Sequence, residues 1–205
     1  MNHRFALTSL LICLSISIRA QPKHSTLIRG GTVVDGSGRA RRKADVRISG
    51  DRIVAVGNLK PKSNELVIDA TGKVVTPGFI DTHSHADGGI FEDRDAETQI
   101  RQGITTAVVG QDGGSHTPLK DWFAELRTKP ASINFASFVG HGTVRSAILG
   151  ENYKRPATAE ESARMAAIVD TEMQAGALGL SSGLEYDPGF YSHTDEVIEC
   201  AKAAA

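Results

Sequence analysis

Val75-Thr76-Pro77-Gly78-Phe79-Ile80-Asp81-Thr82-His83-Ser84-His85 is the stretch on which the reading of this chain turns. Pro77-Gly78 is a turn signal, and the residues after it can extend as a strand. Residues two apart on a strand leave the same face, so His83 and His85 project together. Two imidazoles aimed at one point supply half of a site for a borderline cation such as zinc. Asp81 shares their face and can orient a ligand from behind. Taken alone, His-Ser-His is more often a surface accident. Its place at the end of an apolar strand, where a barrel keeps its chemistry, favours a site.

Beyond His85 the pattern alternates between helix and strand. Asp95 to Gln102 suits a short helix that Gly103 ends, and Ile104 to Gly110 is an apolar strand. Thr117-Pro118 opens a helix to about Thr128, with Trp122, Phe123 and Leu126 on its buried face, and Ile133 to Val139 is the next strand. Thr158-Ala159-Glu160-Glu161 is a capping box, after which Met165, Val169 and Met173 line one helical face up to Gly176. Ala177 to Leu184 is a strand, and Thr194 starts a last helix. This alternation predicts an α/β fold with a parallel sheet. A closed barrel of the kind needs about 250 residues. Residues 76–205 accommodate four βα units, half a barrel, so a truncated chain is expected; a self-contained open four-stranded sheet is the alternative.

Before Val75 the chain reads as short strands. Thr26–Arg29, Thr32–Val34, Asp45–Ile48, Arg52–Val56, Leu66–Ile68 and Lys73–Val75 are separated by Gly- and Asp-rich turns, which predicts a small β-sandwich over 21–75. The first twenty residues differ. A basic Met1-Asn2-His3-Arg4, an apolar Phe5 to Ile18 and small Ala20 have the layout of a cleaved signal peptide, too short for the ~20 residues of a spanning helix. A secreted or periplasmic location follows as an expectation, with no membrane association after cleavage. Cys13 would leave with the signal, and Cys200 has no disulfide partner. Net charge is −1 and no basic or acidic run stands out, which gives nucleic acid no support as a partner. Nothing in the sequence sets the oligomeric state.

The stretch 75–85 resembles the first-strand signature of the amidohydrolase superfamily. The leader with Ile28-Arg29-Gly30-Gly31-Thr32-Val33-Val34-Asp35-Gly36 and Gly50-Asp51-Arg52-Ile53 resembles its N-terminal segment, a urease-like composite β-sandwich. Gln102-Gly103-Ile104-Thr105-Thr106, Val139-Gly140-His141-Gly142-Thr143-Val144-Arg145 and Gly176 to Leu184 are similar to the N-acyl-D-amino-acid deacylase branch. The resemblance implies the N-terminal half of a metal-dependent hydrolase (β/α)₈ TIM barrel that binds one or two zinc ions. Its partner would be a small-molecule N-acyl amino acid, whose amide bond is cleaved by metal-activated water.

It also implies that the proton-moving Asp and further His ligands lie beyond Ala205, so that no catalytic residue falls within the fragment and little turnover is expected from it. Where many such deacylases carry a metal-binding Cys, this chain has Gln111-Asp112-Gly113; Asp112 is either a harder ligand or a turn residue. Glu185, after Gly183-Leu184, is either a bridge between two metals or a solvated carboxylate. His141 polarises the substrate or is structural, Arg145 meets a substrate carboxylate or a structural partner, and Tyr186 contacts substrate or packs a turn. His116 and His193 stay unassigned. The alternatives are another amidohydrolase (dihydroorotase or hydantoinase, dipeptidase, deaminase) or a non-catalytic barrel scaffold.

Overall fold

Gly-Asp turns and β-branched runs fold the first part of the chain into short paired strands. The computed structural model describes residues 25–205, so the expected signal at 1–20 and Cys13 lie outside the described residues. The described residues divide into two units, meeting in sequence at Pro77 and Gly78. The first unit contains β1 (Ser25–Arg29), β2 (Thr32–Val33), β3 (Arg42–Lys43), β4 (Asp45–Ser49), β5 (Arg52–Gly57), β6 (Leu66–Asp69) and β7 (Val74–Val75). They form two sheets, one in the order β5-β4-β1-β6 and one in the order β3-β2-β7. Asp45 ties the turns together by accepting N–H bonds from Gly30 at 2.8 Å and Leu59 at 2.9 Å. A second polar tie is the buried pair of Arg47 Nε and Glu65 Oε1, 2.7 Å apart.

The second unit alternates strands and helices. It runs β8 (Phe79–Asp81), α1 (Glu97–Ile100), β9 (Ile104–Val109), α2 (Leu119–Thr128), β10 (Asn134–Ser137), β11 (Val139–Gly140), α3 (His141–Leu149), α4 (Ala159–Gln174), β12 (Leu180–Ser181) and α5 (Thr194–Ala203). β8, β9 and β10 pair in parallel, as do β11 and β12. β10 and β11 are one strand interrupted at Phe138, whose N–H bonds Val109 O. Spatial order therefore follows chain order, and the strand ends that follow β8, β9, β11 and β12 gather on one side. Among the described residues the strands make an open arc. Val108 and Val109 are both buried although they face opposite ways, as a sheet covered on both faces requires.

The helices cover the arc through Leu119, Trp122, Val144, Met165, Val169 and Cys200, all in one apolar cluster. Cys200 is fully buried, and burial pushes its thiol up to about 11. The expected strand over 177–184 shrinks to Leu180–Ser181, because glycines at 176, 179 and 183 break the run. α3 was not foreseen: Gly142, Thr143 and Val144 are weak helix formers, and packing of Val144 and Leu149 overrides them. α2 begins behind Pro118, and its first N–H, from Leu119, is taken by buried Glu172 of α4 at 2.7 Å. Among the described residues no helix is long and apolar enough to cross a membrane.

α4 has the capping box read from the sequence. Glu161 N–H donates to Thr158 Oγ1 at 3.2 Å, and Thr158 N–H donates to Glu161 Oε2 at 2.8 Å. Arg155 reinforces Glu161 with two contacts of 2.7 Å. Thr158→Ala should therefore lower stability by about 1 kcal/mol, and Thr158→Ser should keep most of it. Urea midpoints check this; equal midpoints for Ala and Thr would contradict it.

Candidate metal centre

β8 ends at Asp81, so His83 and His85 sit just past the strand rather than on it. The strand's alternation nevertheless persists. Ser84 N–H donates to Val108 O at 3.0 Å, Ser84 is buried, and the two imidazoles on either side of it stay exposed. Asp81 accepts the backbone N–H of His83 at 3.3 Å, so it shapes the turn, in place of the expected support to an imidazole ring.

From the end of β9, Asp112 closes the site. Its Oδ2 lies 3.3 Å from His83 Nε2 and 3.2 Å from His85 Nε2. The two imidazole rings are 5.8 Å apart at 71°. One donor atom from each of the three residues falls within 4.8 Å of the others. That is two nitrogens and a carboxylate oxygen converging from two adjacent strand ends, a donor set that suits zinc and leaves room for further ligands. The carboxylate also offsets part of a dication's charge.

The backbone that carries Asp112 is unusual. Its φ is 55°, left-handed for a residue with a Cβ, and Gly113 follows at φ 80°. The next strand ends make room for it. A Cβ on Gly183 would meet Asp112 O at 2.1 Å, and one on Gly140 would meet Gly113 O at 2.4 Å. Gln111 holds the other side, its Nε2 donating to Thr82 O at 2.9 Å and to Val108 O at 3.3 Å.

Two cavities open beside Asp112. One, of about 280 Å³, is lined by Asp112, Gly142, Thr143, Tyr186, Asp187 and Pro188 among others. The other, of about 420 Å³, is lined by His85, Asp87, Gln111, Asp112, Ser115 and His116 among others. Tyr186 is thus brought to the site, exposed at its rim. Asp187 accepts a bond from the Tyr153 hydroxyl at 3.0 Å, which raises the Tyr153 pKa. His116, unassigned from the sequence, lies 3.1 Å from Asp87 and stacks on Trp122 with centroids 4.6 Å apart.

Three of the other candidates sit elsewhere. Glu185 is exposed and does not join the three-residue cluster. His141 and Arg145, expected to meet substrate, are fully buried and committed to Glu196 of α5. His141 Nε2 lies 2.8 Å from Glu196 Oε1, and Arg145 pairs with Glu196 Oε2. Arg145 also donates to the carbonyls of Tyr153, Arg155 and Tyr191. The reason is their place in the first turns of α3, whose inward face meets α5; the structural reading of both residues holds. His193 lies at the start of α5, beside a separate cavity with Asp195 and Glu199.

Residues 66–203 match the model of a family described as amidohydrolase family. A D-aminoacylase from Alcaligenes xylosoxydans xylosoxydans is 37% identical over 199 residues, covering 86% of this chain and 41% of the relative. An N-acyl-D-glutamate deacylase from Bordetella bronchiseptica, solved with zinc and a phosphonate mimic of the tetrahedral intermediate, superimposes with a TM-score of 0.84. It is 34% identical over 89% of this chain and 43% of its own. A D-aminoacylase structure described for its binuclear metal centre gives a TM-score of 0.79 at 38% identity, covering 87% of this chain and 42% of its own. The chain spans less than half the length of each of these proteins.

Proposed function

We propose, for a chain that belongs to the amidohydrolase family, that its protein hydrolyses the amide bond of N-acyl-D-amino acids with zinc held by His83, His85 and Asp112. The observation that carries this reading is the convergence of their three donor atoms within 4.8 Å at adjacent strand ends. The names of the similar deacylases supply the substrate class. A bound zinc ion supplies Lewis acidity, polarising an acyl carbonyl and acidifying water. His83 and His85 would hold the ion through ring nitrogens from one side, and Asp112 through a carboxylate oxygen from the other. Gln111 keeps the two strand ends in register by bonding the carbonyl just before His83. Tyr186 offers a phenol at the rim of the adjoining cavity, where it can meet the substrate.

The test uses the whole gene product. N-acetyl-D-amino acids should be cleaved and their L-enantiomers spared, with hydantoins and dipeptides untouched. Preferential turnover of cyclic amides or dipeptides would assign a different substrate class, and no hydrolysis by a zinc-loaded protein would favour a scaffold. The basic start and apolar run of residues 1–20 support export to a secreted or periplasmic location. Protein recovered after export should begin at Gln21; retention of Met1 counts against a cleaved signal.

A further inference from the structure

We infer that Thr143 is a positioning residue that sets the affinity of the metal centre by clamping the loop that presents Asp112. The inference rests on the zinc reading above. Asp112 and Gly113 are two successive left-handed residues. A backbone of that kind persists only where its surroundings hold it, because a left-handed residue with a Cβ is strained. Thr143 makes three of the bonds that hold it. Its N–H donates to Gly113 O at 3.0 Å. Its hydroxyl accepts the N–H of Ser115 at 2.9 Å and donates to Ser115 O at 3.3 Å. One residue thus grips the loop directly after Asp112 at three points.

Two neighbours complete the clamp. Ser115 Oγ accepts the N–H of Gly140 at 2.9 Å, tying the loop to the end of β11. Ser181 Oγ accepts the N–H of Gly113 at 3.2 Å and donates to Gly110 O at 2.5 Å, tying it to β12. Asp112 therefore takes its direction from three other segments of the chain, and the two histidines take theirs from β8. A carboxylate loosened by even a rotamer loses its shared position 3.2–3.3 Å from both imidazoles. Groups that orient a metal ligand from outside are worth about 10–100-fold in metal affinity.

Thr143→Val keeps the side-chain shape and the backbone bond to Gly113 but removes both hydroxyl bonds. Zinc affinity, measured on the whole chain by competition with a chromophoric chelator, should fall about 10-fold, and Thr143→Ser should restore it. In an Asp112→Ala background the same Thr143→Val change should have almost no effect. A general loss of stability would persist in that background, so the cycle separates positioning from packing. Should Thr143→Val fail to fold, Ser115→Ala reads the same clamp, through the freed Gly140 N–H, and should also weaken zinc. Unchanged zinc affinity in Thr143→Val or Ser115→Ala, or an equal loss with and without Asp112, would overturn the inference alone. Failure of the unaltered chain to bind zinc would overturn the metal reading and the inference with it.

Discussion

Replacing Arg145 with Met should cost about 3–5 kcal/mol, the usual penalty for leaving one partner of a buried ion pair uncompensated. Arg145 has no solvent-accessible side-chain surface, and the carboxylate of Glu196 is 2% exposed. The guanidinium also satisfies carbonyls of Tyr153, Arg155 and Tyr191, so its loss orphans acceptors on two connecting segments. Met fills much of the volume, and the effect is therefore one of charge and hydrogen bonding. Burial pushes the Glu196 carboxyl up, yet the bonds from His141 and Arg145 together outweigh it and hold the group below the ordinary carboxylate range. A depressed folded value means that ionised Glu196 contributes stability above the ordinary range, which is lost as pH falls through the folded value. Urea unfolding at pH 7 should show the loss in Arg145→Met. Pairing it with Glu196→Gln should recover part of the loss and flatten the acid limb. A midpoint near that of the unaltered chain would contradict the assignment.

That pair also shows where sequence reading stopped. The motif from His141 to Arg145 was legible as special, but not why. The sequence leaves both residues open between substrate and structural partners, and a helix beginning at His141 turns both side chains into the core. No spacing rule links Arg145 to Glu196, fifty-one residues away. The capping box at Thr158 and the punctuation at Pro77-Gly78 were legible because their signals are local: a cap needs residues three apart, and a turn needs its own dihedrals. His83 and His85 were legible for the same reason. Asp112 could be suspected from its strand end, but its convergence on both histidines depends on Gly140, Gly183, Ser115 and Thr143. Of these only Ser115 shares a loop with Asp112, and glycine and hydroxyl residues announce nothing about what they hold. Glu185 shows the converse: a carboxylate after Gly183-Leu184, just past β12, that does not join the cluster.

The second large effect concerns the metal itself. His83→Ala or His85→Ala removes one of three donors and leaves a single imidazole with Asp112. Because altering a group behind a ligand already costs about 10–100-fold, losing the ligand itself should exceed about 100-fold. The double replacement should abolish binding in the micromolar range. Both side chains are exposed, so the fold should tolerate these changes with little loss of stability. Weakened zinc binding without unfolding would then be attributable to the site.

Zinc titration of the purified chain against a competing chelator, run beside His83→Ala/His85→Ala, is the decisive measurement. One equivalent bound tightly by the unaltered chain and none by the double variant is the result expected from two imidazoles and a carboxylate meeting at adjacent strand ends. Equal zinc uptake by both proteins would contradict it.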